Sequence, residues 1–189
     1  MLRVFYLLGV SFVLLLAPGC TLLAPVKENA PVLYDLCQSN EHSAAKISVE
    51  AAAFSDLTGN GTRIAVREKD GSLRLDSAHR FTVSPAQLLR RKMALYFAGA
   101  SGKGARTVLT GILLRFEYCP EAREVRMICS YTLRREKATE TLLHDVRAKV
   151  GKETPAARAA AFEEALLISA RRLAGEIQSW QKQLEKDKK

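Results

Sequence analysis

The chain has 189 residues, 48% of them hydrophobic and 26% charged, with a formal net charge of +9 at pH 7. That length supplies one domain with a real core and is too short for two comfortable ones. The basic residues stand in small scattered groups (Arg63, Arg67, Lys69; Arg90, Arg91, Lys92; Arg134, Arg135, Lys137), which read as solvated faces, and Lys182 to Lys189 reads as a charged tail.

Residues 1–20, MLRVFYLLGVSFVLLLAPGC, run from Arg3 through the apolar stretch Val4 to Ala17 into Pro18-Gly19-Cys20. The stretch is shorter than the roughly 20 residues a membrane-spanning helix needs, and a small residue before a cleavage point is what a signal peptidase reads. Cleavage is expected, not spanning. The segment resembles a bacterial lipoprotein signal ending in a lipobox, which implies that Cys20 carries a thioether-linked diacylglycerol and an acylated amine. One acyl chain binds a membrane marginally, at about 0.8 kcal/mol per buried methylene, so three make a firm anchor. Thr21 follows Cys20 in place of the Asp of an inner-membrane retention signal. The analogy therefore implies the outer membrane, with the protein on its periplasmic face, where nucleic acid is no partner.

The expected organisation is a signal peptide over residues 1–19, a lipidated N-terminus and tether over 20–30, one α+β domain over 31–184, and a charged tail over 185–189. The tether carries Pro25 and no periodicity, and Pro31 closes it. Val32 to Cys37 is a first strand and Gln38 to Ala45 a polar loop. Lys46 to Ala51 alternates polar and apolar residues, as a half-buried strand does. Ser55 to Gly61, SDLTGNG, is dense in turn formers. Arg63 to Glu68 and Ser72 to Asp76 are short strands joined at Lys69-Asp70-Gly71, since Asp-Gly is a strong hairpin signal.

A helix then opens with Ser84 as N-cap, Pro85 at the first helical position and Gln87 placed to close a capping box. Leu89, Met93 and Tyr96, widened by Leu88 and Phe97, form its core stripe. Ala98 to Ala105 is a loop. Thr107 to Cys119 and Val125 to Arg135 form a long hairpin turning near Pro120 to Arg123, and Thr141 to Val150 is a further strand. The alternation predicts Ile112, Leu114, Phe116 and Tyr118 on one face of the first arm, with Val125, Met127, Cys129, Tyr131 and Leu133 on the apolar face of the second. A final helix starts at Thr154 and Pro155, and Phe162, Leu166, Leu173, Ile177, Trp180 and Leu184 lie on one stripe, with Ser169 or Ala170 filling its gap. The order of strands, helix, strands and helix predicts an α+β fold, a mixed and mainly antiparallel sheet with two helices packed on one face.

Little in the chain points to chemistry. Besides Cys20 there are Cys37, Cys119 and Cys129, an odd number that permits at most one bridge. The alternation turns Cys119 and Cys129 to opposite faces, so any bridge must include Cys37, and Cys129 serves as a small core residue. There is no CxxC spacing, and His42, His79 and His144 are lone residues in polar surroundings, which argues against a metal site. Gly99 to Gly104, GASGKG, lacks the Ser or Thr that a phosphate loop places after its Lys. No G-x-S-x-G elbow occurs either. No catalytic residue, cofactor or metal is assigned; the single site residue is the lipidation site, Cys20.

Tyr34-x-Leu36 just after the tether, Arg63-Ile64-Ala65-Val66-Arg67 with its Asp-Gly hairpin, and Arg80-Phe81-Thr82-Val83-Ser84-Pro85 leading into a helix with Leu88 and Leu89 resemble the ABC-type transport auxiliary lipoproteins. The hairpin with Leu109, Gly111 and Phe116 and the Ala-rich last helix ending in Trp180 extend the likeness over roughly Pro31 to Trp180. Where that family carries Trp before the helix, Phe81 stands here. The resemblance implies a non-enzymatic outer-membrane lipoprotein that works with the periplasmic MCE-domain subunit of an ABC transporter moving lipids or other hydrophobic compounds. It would be an acceptor, docking platform or ring component, which leaves room for a homo-oligomer. Two other readings share the anchor, size and charge: a lipopolysaccharide-assembly lipoprotein and a structural envelope lipoprotein.

Replacing Cys20 by Ser removes the thiol that takes the diacylglycerol. The variant is expected to keep the precursor mass and to leave the outer-membrane fraction; unchanged mass and unchanged fractionation relative to wild type would refute the anchor.

Overall fold

Alternation builds the central hairpin. In strand β6, Glu124–Arg135, the odd-numbered Val125, Met127, Cys129, Tyr131 and Leu133 are all fully buried, and they define the inner face of the sheet. Strand β5, Thr107–Cys119, pairs antiparallel with β6 along its whole length, and β7, Ala138–Lys149, pairs antiparallel with the other side of β6. These coordinates are a computed structural model that describes residues 30–37, 41–44, 47–98 and 106–187. The expected signal peptide and tether, Cys20 and the glycine-rich stretch Gly99 to Gly104 lie outside the described residues.

Three strands complete the edge of β5 away from β6. Strand β2, Val49–Asp56, runs parallel to the first half of β5, and β3, Arg63–Arg67, runs parallel to its end. Strand β4, Leu73–Phe81, returns antiparallel to β3 through the turn at Gly71, whose φ of +83° explains the glycine. The three-residue β1, Val32–Tyr34, adds in parallel beyond β4. The sheet order is β1-β4-β3-β5-β6-β7, with β2 beside β5, so the α+β expectation holds. β1 is shorter than the expected Val32 to Cys37, and β2 begins later and runs on to Asp56.

Helix α1, Pro85–Phe97, has the expected capping box: Ser84 Oγ accepts from the Gln87 N–H, and Gln87 Oε1 accepts from the Ser84 N–H. Helix α2, Pro155–Lys186, is capped by Thr154, whose hydroxyl accepts from the Ala157 N–H. Both cover the inner face. Phe162 of α2 meets Phe81 at 5.2 Å and Phe116 at 4.7 Å between ring centroids, and Leu88, Leu89 and Met93 of α1 are fully buried in the same core. Phe81 thus keeps an aromatic packing role. Lys92 does not lie on a solvated face as its basic neighbours suggested; it is 1% exposed and donates to Glu163 of α2 at 3.1 Å.

The face assignment of β5 needs correction. Its register slips between Leu113 and Arg115, so Leu114 is an extra bulged residue. Before the bulge Leu109, Gly111 and Leu113 face the helices; after it Phe116 and Tyr118 do. Ile112 and Leu114, expected inside, are therefore 42% and 43% exposed.

Gly111 lies opposite Phe54 of β2, and a Cβ there would fall 2.5 Å from the Phe54 ring. Gly111→Ala is expected to push that ring off its seat and cost about 1–3 kcal/mol. Leu166→Ala, at a fully buried site of α2, is expected to cost about 2–5 kcal/mol. Urea denaturation of the purified chain checks both; wild-type midpoints would remove the packing argument.

Candidate functional site

Cys20, the expected lipidation residue, lies outside the described residues, so the site must be sought in what the domain exposes. The inner face is filled, and its buried polar groups come first. His144 is on β7 at an inward position, between Leu142 and Val146, and is fully buried rather than lone in polar surroundings. Its Nδ1 lies 2.9 Å from Ser169 Oγ, its Nε2 2.7 Å from Glu176 Oε2, and Ser169 Oγ 2.8 Å from the Tyr131 hydroxyl. Arg172 Nε donates to the other Glu176 oxygen at 2.9 Å.

Assigning the imidazole proton to Nε2 satisfies every member: Tyr131 donates to Ser169, Ser169 to Nδ1, and Nε2–H to Glu176. Burial pushes the His144 pKa below its usual 6.5, against the opposing pull of Glu176. Burial raises the Glu176 carboxyl, but hydrogen bonds from His144 and Arg172 outweigh it and hold the pKa low. Burial also lifts Tyr131 far above 10, so it remains a donor. Ser, His and carboxylate do come together here, which their sequence positions did not reveal. The serine hydroxyl, however, has no exposed surface for a substrate to reach, so the chain of bonds pins α2 to β6 and β7. The inward parity of His144 with Leu142, Val146 and Ala148 was the available signal.

The other titratable residues are similarly committed to structure. Cys37, Cys119 and Cys129 are all free thiols. Cys129 faces the core opposite Leu113, and burial pushes its pKa up to about 12, whereas Cys119 is half-buried opposite Glu124. His79 stacks on Tyr34 and reaches Asp76 at 3.0 Å; His42 Nδ1 lies 3.0 Å from the Leu95 carbonyl. Among the described residues no three His, Cys, Asp or Glu side chains form a metal-sized group, and no helix is long and apolar enough to cross a membrane.

What remains is surface. Strand β7 closes one end of the sheet, so over twelve residues one of its edges has no strand partner among the described residues. Such an edge presents backbone N–H and C=O groups that an incoming strand can pair. On the outer sheet face beside it, Leu143 is 61% exposed and lies in one cross-strand row with Ser130 and Ile112. On the inner side, Leu133, Leu142, Trp180, Arg172 and Gln183 line a groove of about 550 Å³ between β7 and the last turns of α2. Trp180 is half-buried, at the end of the core stripe.

No family model and no curated protein matches the chain. Solved structures do match in fold. A crystal structure of an uncharacterized protein superposes with a TM-score of 0.63 at 12% identity, covering 79% of this chain and 99% of the other. The crystal structure of protein XCC0632 from Xanthomonas campestris, of the DUF330 family, gives a TM-score of 0.62 at 18% identity, covering 82% and 99%. At these identities the likeness is one of fold, and it extends over nearly the whole of each neighbour.

The His144 network sets a pH dependence. An imidazole with a lowered folded pKa is protonated more readily in the unfolded chain, so its contribution to stability is present above about pH 6.5 and is lost as pH falls below that value. Glu176, also lowered, adds a further loss as pH falls below its usual 4.5. The melting temperature is expected to drop between about pH 7 and about pH 5, and less steeply in His144→Gln. Parallel pH profiles for the two proteins would show that His144 is not the group responsible.

Proposed function

We propose that the protein is a lipid-anchored lipoprotein on the periplasmic face of the outer membrane, acting without chemistry of its own as the auxiliary component of an MCE-type ABC transporter for lipids or other hydrophobic compounds. The observation that supports this most is where the resemblance motifs fall in the fold. Tyr34 stands in the edge strand β1, Arg63 to Arg67 is β3, and Phe81 is buried against Phe116 and Phe162. Ser84 and Pro85 form the cap of α1, and Trp180 ends the buried stripe of α2. The motifs therefore occupy positions on which the architecture depends, and the DUF330 neighbour has the same architecture.

The domain is suited to binding and positioning. Under the helices its charged groups are consumed by internal pairing, and its open features are an edge strand, an outer face with isolated apolar residues, and a shallow groove. In this reading the MCE-domain subunit docks at the β7 edge, where main-chain hydrogen bonds supply affinity and Leu143 with its row supplies contact area.

Purification of the tagged full chain from detergent-solubilised envelope is expected to recover MCE-transporter subunits. Leu143→Glu places a charge in the exposed row beside the β7 edge and is expected to lower that recovery, whereas a change at the charged surface position Arg134 should leave it intact. Recovery of the lipopolysaccharide-export barrel alone would replace this function with lipopolysaccharide assembly.

A further inference from the structure

Most arginines of the sheet are neutralised where they stand. Arg67 and Arg115 share Glu117, Arg126 forks onto Asp145, Arg147 reaches Glu124, and Arg74 reaches Glu68. Arg134 and Arg135 of β6 lack such a partner among the described residues, and so do Arg63 and Arg80. The latter two are direct cross-strand partners in β3 and β4, and among the described residues neither takes part in a side-chain hydrogen bond or an ion pair. The Phe81 N–H donates to the Thr62 carbonyl at 2.7 Å, which brackets Arg63 and Arg80 as a non-hydrogen-bonded pair. In such a pair the two residues share one face and their side chains stand closest, with Cα atoms about 4.5 Å apart.

Two like charges directly opposite are destabilising, and a buried donor without a partner costs free energy as well. Both penalties meet here, since Arg80 Nε is the lone buried side-chain nitrogen or oxygen among the described residues with no hydrogen-bond partner. A pair of guanidinium forks is the arrangement that binds a phosphate oxyanion bidentately. The surroundings narrow the source of that phosphate. Leu33 of β1 pairs with Arg80 on its other side, shares its face and is 60% exposed. It follows closely on the tether, whose ten residues Thr21 to Ala30 reach at most about 36 Å from Cys20.

We propose that Arg63 and Arg80 form a phosphate site, with Leu33 as its apolar rim, that binds a phospholipid headgroup and seats the β1 edge of the domain on the membrane. This rests on the anchored reading above for the source of the phosphate. The site itself needs no lipidation. Phosphate neutralises the facing guanidiniums and supplies the acceptor that Arg80 Nε lacks, while the Leu33 side chain enters the headgroup boundary.

The test titrates the full chain, held in neutral detergent, with dihexanoyl phosphatidylglycerol and separately with inorganic phosphate. The expected result is tighter binding of the phospholipid than of inorganic phosphate, weakened roughly tenfold or more in R63Q and in R80Q, the loss expected for charge-assisted hydrogen bonds. R134Q, which removes the same charge from an exposed position of β6, should bind as wild type does. Arg63 is exposed, so R63Q decides the matter if R80Q does not fold. Equal loss in R134Q, or no loss in R63Q, overturns the site. Equal affinity for both probes, lost in the variants, overturns the headgroup and leaves a free-phosphate site. Because binding is read in solution, failure of the anchor in the Cys20 test and failure of this site are separate results.

Discussion

Strand β5 must satisfy three strand partners and the helix layer at once, and the rest of the fold depends on how it does so. One edge carries the full antiparallel ladder to β6; the other is divided between two parallel partners, β2 along its first half and β3 at its end. A strand with strict two-residue alternation would give the helices either Leu109, Gly111 and Leu113 or Phe116 and Tyr118, but not both sets. The bulge at Leu114 resolves this by resetting the parity in mid-strand, so that α1 and α2 find an unbroken apolar floor. The same device turns Ile112 and Leu114 outward and gives the outer face its apolar spots. Gly111 then takes part at the crowded end, since only a residue without a Cβ leaves room for the Phe54 ring that covers Tyr131.

Electrostatics divides the molecule along similar lines. Two ionic contacts lie under the helices: Lys92 with Glu163 joins α1 to α2, and the Tyr131–Ser169–His144–Glu176 chain joins α2 to the sheet. Burying such groups is costly unless each donor and acceptor is matched, and here they are. These contacts fix the register of the helices against the sheet more than they add stability, because apolar residues of equal volume would pack there without a desolvation cost. On the outer face the Glu117 and Glu124 carboxylates, 4% and 8% exposed, gather Arg67, Arg115, Arg147 and Lys149 around them. Much of the positive charge that gives the sequence its basic balance is thus spent within the fold.

The sequence made the helices legible because their signals are local. Ser84, Pro85 and Gln87 form a cap whatever the rest of the chain does, as do Thr154 and Pro155. The β6 face was legible for the same reason, since its alternation is uninterrupted. The β5 face was not, because a bulge is chosen by the pairing of two strands and leaves no mark on the apolar pattern of one. His144 and Lys92 were misread on composition: a polar residue in a polar neighbourhood of sequence reads as solvated, and its burial depends on Ser169, Glu176 and Glu163 arriving from a helix far along the chain. Arg63 and Arg80 stood out as motif residues, but their pairing across β3 and β4 follows from the irregular register between Arg63 and Ala65. The expectation of lipidation at Cys20 rests on the sequence alone, as that residue lies outside the described residues.

The order of the strands links the two proposed contacts. β1 and β7 are the opposite ends of the sheet, separated by β4, β3, β5 and β6. At about 4.8 Å per strand, the two edges stand roughly 24 Å apart. β1 is the first strand of the chain, and in the proposed reading a domain seated on the membrane by Leu33 and the arginine pair turns its long edge strand away from the bilayer and toward whatever approaches through the periplasm. β1 has three residues and offers little backbone for pairing, whereas β7 has twelve. The asymmetry matches the division of labour: a short edge that needs side-chain contact with headgroups, and a long one that can accept a partner's strand. Helices on the inner face would stiffen the sheet between them, and a rigid spacer is what a protein that works by positioning requires.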